Sequence, residues 1–314
     1  MGPLPNYFSY FISSCRKNKD IHFVVISDSV EESKNIDNVQ LIKLNLSQLS
    51  ELSSLKLQTT VKVANAWKIN EYKPAFGVIF DDIVKDYDFW GWCDLDIIWG
   101  NVRSFLTSDL LNKYDVIVPK DKWTAGHFTL FRNNNNNNNL FRLNEDVIAL
   151  FNSEKYYAFE ESCHRWEGDI YSFEWLKSQG LPISMFDIVK HEEKRGVLKA
   201  YFKDVIREHP QPIHYLYENG KLIDLKNQEE FMYYHLLTIK KIWRFYIPSY
   251  KVVPDVLHFT PYGIISNKEE KSFFYKAIWT VNRFISCMQG IRKSIKNQNI
   301  RLVIKKGIKE VTRK

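Results

Sequence analysis

The stretch YDFWGWCDLDIIWGNV, residues Tyr87–Val102, is the part of the sequence that most limits the choice of fold. It is apolar and aromatic except for two acids, Asp94 and Asp96, which stand one residue apart. An unpaired carboxylate buried in apolar surroundings costs several kcal/mol, so each acid needs a compensating partner. The partner is either a structural cation, for which Arg103 is the nearest candidate, or a bound metal ion.

In an extended segment, residues i and i+2 point to the same face, so both carboxylates can reach one cation. A hard divalent cation prefers such oxygen ligands and often keeps phosphate oxygens in its shell. Two alternatives remain beside this metal hypothesis. The acids can be capped at a strand end by Arg103 or by backbone amides. The phosphohydrolase motif, in which the first Asp attacks phosphorus, expects Thr or Val where Ile98 stands.

The segments around this stretch alternate between short strands and helices. The apolar patterns predict helices and strands as follows: helices at Tyr7–Asn18 and Phe76–Val84, a weakly helical pattern over Leu41–Leu57, a strand ending at the two acids, and strands at Ile21–Asp28, Tyr114–Pro119 and His127–Arg132. This alternation favours an α/β sandwich with a parallel or mixed sheet. Ligands of such sheets bind at the carboxyl ends of the strands, where Asp94 and Asp96 fall.

Two further segments have a distinct local pattern. The run Asn133–Asn139 is polar and of low complexity, which predicts a surface turn that packs against no core. Residues Pro212–Leu225 predict a hairpin whose tip is Asn219-Gly220, because Asn-Gly suits a type I′ turn.

Composition bounds the class of protein. The 314 residues, 45% of them hydrophobic, suit one large domain with or without an appendage. No apolar run reaches the roughly 18 residues of a membrane span, and the start MGPLPNYFSYF lacks the pattern of a secretory signal. The four cysteines have no metal-type or redox-type spacing, which favours free thiols in a reducing cytoplasm.

The positive charge is concentrated at the end of the chain. Residues 268–314 hold thirteen Lys and Arg against three Glu, a net +10, so the rest of the chain carries −3. We therefore expect a catalytic domain over residues 1–267 and a basic, amphipathic helical tail over 268–314. Such a tail suits the surface of an anionic bilayer, or its apolar side packs on the domain. Lys and Arg interleaved with Ile, Val and Leu, without a nucleic-acid module, argue against nucleic acid as a partner.

Four blocks together resemble a bacterial group of glycosyltransferases of the GT-A type. They are LPNYFSYFISSCRKNKDIHFVVISD, YKPAFGVIFDDIVKDYDFWGWCDLDIIWGNVRSFL, AGHFTLFRNN and FMYYHLLTIKK, and they occur in the expected order across about residues 2–245. In that group a strand precedes the G-x-L-P block, whereas here Met1 directly precedes Gly2. The resemblance implies a GT-A-like (Rossmann-like) mixed sheet flanked by helices.

The resemblance also implies a metal site. In GT-A enzymes a D-x-D pair holds Mn²⁺ or Mg²⁺ against the diphosphate of the donor, and Asp94 and Asp96 match that pair. His235 matches a third, distant ligand, although a histidine within an aromatic cluster is the alternative. Lys240 and Lys241 follow closely enough to contact diphosphate oxygens.

Several other residues are candidates for substrate binding or catalysis. Asp28, at the end of the first expected strand, lies where the base or ribose binds in such folds, or it caps a turn. Lys73 and His127 are expected near the donor, with Gly126 allowing a close approach; a core histidine is the alternative for His127.

Three acids are candidates for the base that activates the acceptor, and each is alternatively a solvated helix acid. They are Glu160, Glu161 and Asp169.

The expected activity is metal-dependent transfer of a hexose-type sugar from a nucleotide-sugar donor, a UDP-sugar first, to a glycan or lipid-linked acceptor. The resemblance implies a role in bacterial surface polysaccharides, such as capsule or lipopolysaccharide. The expected location is the cytoplasm, with peripheral contact at the inner face of the cell membrane. The alternative is a non-catalytic, carbohydrate-binding or scaffold protein with the same fold, using its nine Trp and 17 Tyr to stack on sugars.

Overall fold

A computed structural model describes residues 1–165, 171–208, 214–237, 245–261 and 263–266, with positions 277, 280, 281, 284, 285 and 288 of the tail. The chain divides into two compact units. The first comprises residues 1–208, 220–222 and 231–236, and the second comprises 209–219, 223–230 and 237–314. The predicted boundary at residue 267 stays a prediction, because most residues beyond it lie outside the described part.

The described chain is mixed α/β, as the alternating pattern indicates. Its strands are β1 Phe23–Ser27, β2 Lys34–Ile36, β3 Val39–Lys43, β4 Phe89–Cys93, β5 Ile97–Trp99, β6 Val116–Val118, β7 Phe128–Arg132, β8 Ala200–Phe202, β9 Tyr215–Glu218, β10 Lys221–Asp224, β11 Glu229–Phe231, β12 Tyr233–His235, β13 Val256–Thr260 and β14 Gly263–Ile265. Its α-helices are α1 Phe8–Arg16, α2 Leu46–Leu57, α3 Ile69–Tyr72, α4 Phe76–Ile79, α5 Asp81–Val84, α6 Ser108–Lys113, α7 Asn135–Asn138, α8 Val147–Asn152, α9 Phe173–Ser178 and α10 Met185–Lys194.

The strands form several small mixed sheets. Their orders are β1-β3-β2, β4-β7-β6-β8, β12-β5 and β11-β10-β9-β13-β14. Parallel pairing joins β1 to β3 and β6 to β8, and the other pairs with a determined register are antiparallel. No described helix is both long and apolar enough to cross a membrane.

Two apolar cores hold the first unit together. One collects side chains of α2, α4, β4, β6 and α10, and the other collects side chains of α1, β1, β3 and β5. Trp99 of β5 is 1% exposed and packs on Phe23 of β1 with ring centroids 5.7 Å apart. Burial of such large rings is the main source of stability for these short elements.

The predicted helices and strands are largely confirmed, and two of the predicted helical segments need correction. The stretch Leu41–Leu57 contains the strand β3 before the helix α2, and the helix begins at a capping box made by Asn45 and Gln48. The helix expected over Phe76–Val84 is interrupted at Phe80, giving α4 and α5. The hairpin tip is as predicted: Asn219 has a φ of 50° and Gly220 a φ of 85°, the left-handed conformations of a type I′ turn.

The prediction for the Asn run was wrong. Residues 135–138 form the helix α7, Asn137 is 5% exposed, and the Asn138 side chain accepts a hydrogen bond from the Trp90 indole at 2.6 Å. Asn133 donates to the carbonyl oxygens of Val84 and Tyr87. The polar composition of the run does not predict these contacts. An amide side chain can both donate and accept hydrogen bonds, so it can be buried where its partners are in place.

Candidate metal centre

The turn that carries the two acids lies where the chain leaves one sheet and enters another. Asp94 follows β4, whose ladder with β7 ends at Cys93, and β5 begins at Ile97. The Asp94 amide donates to the His127 carbonyl at 3.0 Å. The pair is therefore on a turn and not in the extended segment that we expected, because β5 pairs with β12 and not with β7.

The pairing of β5 with β12 brings a distant histidine to these acids. The two strands are antiparallel, with His235 opposite Ile97, and the Leu236 amide donates to the Asp96 carbonyl at 2.8 Å. His235 Nε2 then lies 3.2 Å from Asp96 Oδ2. Ligand atoms of Asp94, Asp96 and His235 all lie within 4.8 Å of one another, so the structure brings the three predicted metal ligands together.

His235 has the environment of a metal ligand. The side chain is 3% exposed, and neither ring nitrogen makes an aligned hydrogen bond with the described residues. The contact of Nε2 with Asp96 Oδ2 is electrostatic and is not an aligned hydrogen bond. Buried polar atoms without partners are costly. A cation between the ring and the acids would accept a lone pair from an imidazole nitrogen and would balance the charge of the carboxylates. The residues present therefore fit a metal ion.

The raised pKa of His235 also supports a cation site. Burial lowers the pKa of the imidazole, but Asp96 and Glu208 outweigh this effect and raise its pKa to about 9. The protonated ring thus serves as the counter-ion of the acids in the metal-free protein. A cation would replace that proton, since an imidazole must be neutral to bind a metal.

Glu208 is the centre of a second cluster that the sequence analysis missed. Its Oε1 lies 3.0 Å from His127 Nε2 and 3.6 Å from His235 Nδ1, and its Oε2 lies 3.0 Å from Lys120 Nζ. Burial alone would raise the pKa of this carboxyl, but the two histidines and Lys120 hold it well below its usual range. Since cations on two sides already neutralise Glu208, it suits the role of the outer carboxylate that orients a metal-binding histidine.

His127 belongs to this network and not to the first three ligands. Its Nδ1 lies 2.7 Å from the Tyr233 hydroxyl, its Nε2 contacts Glu208, and burial lowers the pKa of the ring. His127, Glu208 and His235 also meet the distance requirement for a metal group. The hydrogen bonds on both ring nitrogens of His127 make it a weaker ligand candidate than His235.

Lys73 provides the cation beside Asp94. Its ammonium donates to Asp94 Oδ1 at 2.5 Å and to the Gly126 carbonyl at 2.7 Å. Burial lowers the pKa of Lys73, and the charges of Asp94 and Glu160 more than reverse this effect. Arg103, the structural partner considered from the sequence, has no ion pair with either acid among the described contacts.

Glu160 is a described candidate base whose charge acts on Lys73 of this network. Its side chain is 2% exposed, Oε1 accepts the Tyr156 hydroxyl at 2.5 Å, and Oε2 has no hydrogen-bond partner in the described part of the chain. Burial raises the pKa of Glu160 to about 7, an effect that Lys73 and Tyr156 limit. The expectation of a solvated helix acid was wrong for Glu160.

The other predicted site residues have different surroundings. Glu161 Oε1 accepts the Gly126 amide at 3.0 Å, and a Cβ on Gly126 would lie 2.6 Å from the same oxygen. The absence of a side chain at Gly126 therefore leaves room for the Glu161 carboxylate. Asp28 is exposed and accepts the Gly2 amide at 2.8 Å, and its described hydrogen bonds do not connect it to the acids. Asp169, Lys240 and Lys241 lie outside the described residues.

Sequence reasoning missed four residues around the site. Tyr7 is near the two acids: burial first, then Asp96 and Asp94, raise the pKa of its phenol to about 12. Lys120 follows β6, a predicted strand, so the rule that ligands bind at the carboxyl ends of strands could have indicated it, whereas Glu208 follows β8, which the sequence analysis did not predict. Tyr233 had no such signal, because its role depends on the pairing of β12.

Comparison with known proteins gives one match. The family model that matches is described as "Family of unknown function (DUF6625)", and the match covers residues 1–261. No curated protein and no solved structure matches the chain.

Proposed function

The chain belongs to the DUF6625 family, whose function is unknown, and we propose from its site that it is a metal-dependent glycosyltransferase of GT-A-like architecture. It would move a sugar from a nucleotide-sugar donor, a UDP-sugar first, to a glycan or lipid-linked acceptor. One observation carries this proposal: Asp94, Asp96 and the distant His235 converge within 4.8 Å. Two carboxylates and one imidazole around a turn suit a divalent cation that also accepts phosphate oxygens.

The ligand types favour Mn²⁺ over Mg²⁺. Carboxylate oxygens suit both ions, whereas Mg²⁺ rarely takes an imidazole and usually keeps several waters. Bound by Asp94, Asp96 and His235, the cation would neutralise charge on the diphosphate leaving group of the donor.

Lys73 would hold the site in its working arrangement. Its ammonium spans from Asp94 to the Gly126 carbonyl and is 6% exposed, so it fixes the carboxylate against the loop that precedes β7. An ammonium in a nearly dry site also favours an anionic substrate, because the electrostatic attraction is less screened there than in water.

Glu160 would accept the proton of the acceptor hydroxyl. Its Oε2 is the atom without a hydrogen bond, and a pKa of about 7 suits a base that works near neutral pH. The Tyr156 hydroxyl, bonded to Oε1, orients the carboxyl group.

Nucleotide release from candidate donors tests the proposal. The purified full chain would be incubated with Mn²⁺ and a panel of nucleotide sugars, and the release of nucleoside diphosphate would be measured. We expect turnover with at least one donor, loss of turnover on chelation, and loss in Asp94→Asn and Asp96→Asn. Asp86→Asn, at an exposed acid before β4, is the matched control. Metal-independent turnover, or full activity in both site variants, would overturn the proposal.

A non-catalytic carbohydrate-binding protein is the second candidate, and one surface feature favours it. Tyr171 and Trp175 are 38% and 42% exposed and stack with ring centroids 4.3 Å apart, which offers a flat aromatic surface. Thermal melting with UDP and Mn²⁺ separates the two functions. A metal-dependent transferase should be stabilised by the pair of ligands together, whereas a pure glycan binder should not respond to them.

A further inference from the structure

Trp67 is an exposed aromatic residue beside the loop that carries Glu160. It lies in the 3₁₀ helix Ala66–Lys68, directly before α3, and is 64% exposed. Its ring meets the Tyr156 ring edge to face, with centroids 5.7 Å apart. Such a contact leaves at least one face of the indole uncovered. Single exposed apolar residues are common, so the exposure of Trp67 counts only together with what surrounds it.

A buried ion pair fixes the two segments that carry these rings. Lys68 is 1% exposed, Glu71 is fully buried, and their side chains form a salt bridge. The Lys68 ammonium also donates to the Lys155 carbonyl at 2.7 Å, and the Glu71 carboxylate accepts the Tyr157 amide at 2.5 Å. The segments cannot separate without leaving a buried charge without its partners, which is costly. The two aromatic rings therefore keep their positions relative to each other.

Tyr156 connects Trp67 to the candidate base. Its hydroxyl donates to Glu160 Oε1 at 2.5 Å, while Glu160 Oε2 has no hydrogen-bond partner in the described chain. The charge of Glu160 acts in turn on Lys73, which holds Asp94 of the metal centre. The exposed indole is thus separated from the candidate base by one side chain, and the interactions continue from that base to the metal ligands.

The polar groups around Trp67 suit a sugar better than a charged ligand. The Asn65 side-chain oxygen caps the 3₁₀ helix, and its amide N–H groups have no partner among the described residues, so they can bind a hydroxyl. Lys68 is buried in its ion pair, and the Lys155 ammonium lies over the Tyr157 ring. A pyranose ring presents slightly positive C–H groups on its face, which suit the negative face of an indole.

We propose that Trp67 is the sugar-stacking residue of the acceptor site, and that the acceptor is a saccharide with a pyranose ring on this indole and a hydroxyl at Glu160 Oε2. Because Tyr156 separates the indole from Glu160, the stacked ring belongs to the sugar next to the one that reacts. The acceptor therefore has at least two sugars. This inference rests on the proposed function and names the class of its acceptor.

Fluorine NMR of the intact chain tests the saccharide site. The protein would carry 5-fluorotryptophan, and the resonance of Trp67 would be assigned by its loss in Trp67→Phe. The probes are cellobiose, maltose, lactose and N,N′-diacetylchitobiose. Sorbitol, which has the hydroxyls of a hexose but no ring, is the control. We expect a saturable shift of the Trp67 resonance with at least one disaccharide and no shift with sorbitol.

Substitution of the indole should weaken saccharide binding. Trp67→Ala should bind the responding disaccharide about tenfold more weakly, whereas Trp67→Phe keeps an aromatic face and should lose less. Trp175→Ala removes the second exposed tryptophan of the described chain and should leave this affinity unchanged. Saturation-transfer NMR on the disaccharide signals measures all three variants. Thermal melting checks that each variant is folded.

Turnover connects this site to transfer. The disaccharide that shifts the Trp67 resonance should accelerate nucleotide release from the donor, because it supplies the acceptor hydroxyl. Trp67→Ala should raise the KM for that disaccharide about tenfold, the same factor by which its binding is weakened.

Four results would overturn the proposal. They are the absence of a saturable Trp67 shift with every disaccharide, an equal loss of affinity in Trp175→Ala, a shift with sorbitol or phosphatidylserine vesicles in place of the disaccharides, and a bound disaccharide that does not accelerate nucleotide release. The vesicle result would assign Trp67 to a membrane contact. Absence of nucleotide release from every donor would instead overturn the proposed function, while the Trp67 resonance would still report saccharide binding.

Discussion

His235 is the residue on which the candidate metal centre depends most. It is buried, its ring nitrogens make no aligned hydrogen bond within the described chain, and it stands between Asp96 and Glu208. The two acids are close in sequence and would be neighbours in almost any fold. The histidine is 139 residues beyond Asp96 in the sequence, so its position beside Asp96 is the stronger indication of a metal site.

We expect His235→Ala to weaken Mn²⁺ binding more than Glu208→Gln does. Loss of an outer carboxylate typically lowers metal affinity about 10–100-fold, and loss of a direct ligand should exceed that. Calorimetric titration of the three proteins with Mn²⁺ measures the difference. A large fall in Tm in His235→Ala with unchanged Mn²⁺ affinity would instead identify a core histidine.

Mn²⁺ affinity should also rise with pH. The metal-free ring has a pKa of about 9, raised above its usual 6.5, so a proton must leave before the metal can bind. Below pH 9 we expect affinity to increase about tenfold per pH unit, and to level off above it. The same raised pKa stabilises the metal-free fold below pH 6.5, and this contribution is lost as the pH rises to about 9. A pH-independent affinity would exclude His235 as a ligand.

Glu160 gives a prediction about the pH dependence of transfer. With a pKa of about 7, a base at this position is half ionised near neutral pH, so transfer should rise through pH 7. Glu160→Gln should lose about 10²–10⁴-fold in kcat together with that rise. Measurement of kcat from pH 5 to 9 checks this, with Glu161→Gln as the neighbouring control. A variant that keeps the wild-type profile would remove Glu160 from catalysis.

Among the secondary-structure elements, the short helix α7 shows how a polar run can be structural. Asn137 is buried, and the Asn138 side chain accepts a hydrogen bond from the Trp90 indole. The Asn133 side chain donates to the carbonyl oxygens of Val84 and Tyr87, just before β4. These bonds connect α7 to β4, the strand that leads to Asp94. The run thus supports the element that presents the site.

We expect Asn138→Ala to destabilise the protein by about 1–3 kcal/mol, because it leaves the buried Trp90 N–H without its acceptor. Asn136→Ala, at an exposed position of the same helix, should change stability by less than about 0.5 kcal/mol. Urea unfolding of both variants provides the comparison. Equal effects would show that the Trp90 hydrogen bond contributes nothing measurable.

At the scale of the whole molecule, the uneven charge is the main feature that the site does not explain. The net charge is +7, whereas residues 268–314 alone carry +10. The described tail positions 277, 280, 281, 284, 285 and 288 are helical, and Val281, Phe284 and Met288 are exposed. Their spacing puts these three apolar side chains near one face of a helix, which is the pattern of a helix that lies on a membrane surface.

We expect the full chain to bind anionic liposomes at low salt and a chain ending at Asn267 not to bind them. Each cation near the headgroups contributes about 1 kcal/mol and is screened by salt. Sedimentation with phosphatidylserine vesicles at two ionic strengths measures this, while circular dichroism and donor turnover confirm that the shortened chain is folded. If the shortened chain unfolds, the tail is a packing element.

The sequence by itself determined the elements whose causes are local. The helix α1, the strands β1, β4, β6 and β7, the Asn-Gly turn and the adjacency of Asp94 and Asp96 follow from residue spacing and turn chemistry. The metal hypothesis also came from the sequence, although its premise of an extended segment was wrong. These features depend on contacts within a few residues, which a pattern can encode.

Only the tertiary structure decided which residues meet. The antiparallel pairing of β12 with β5 places His235 at Asp96, and the segment after β8 brings Glu208 to His127 and His235. Burial alone separates Glu160, whose pKa rises to about 7, from an ordinary surface acid. Strand pairing and desolvation depend on partners far away in the chain, and no local pattern of residues encodes them.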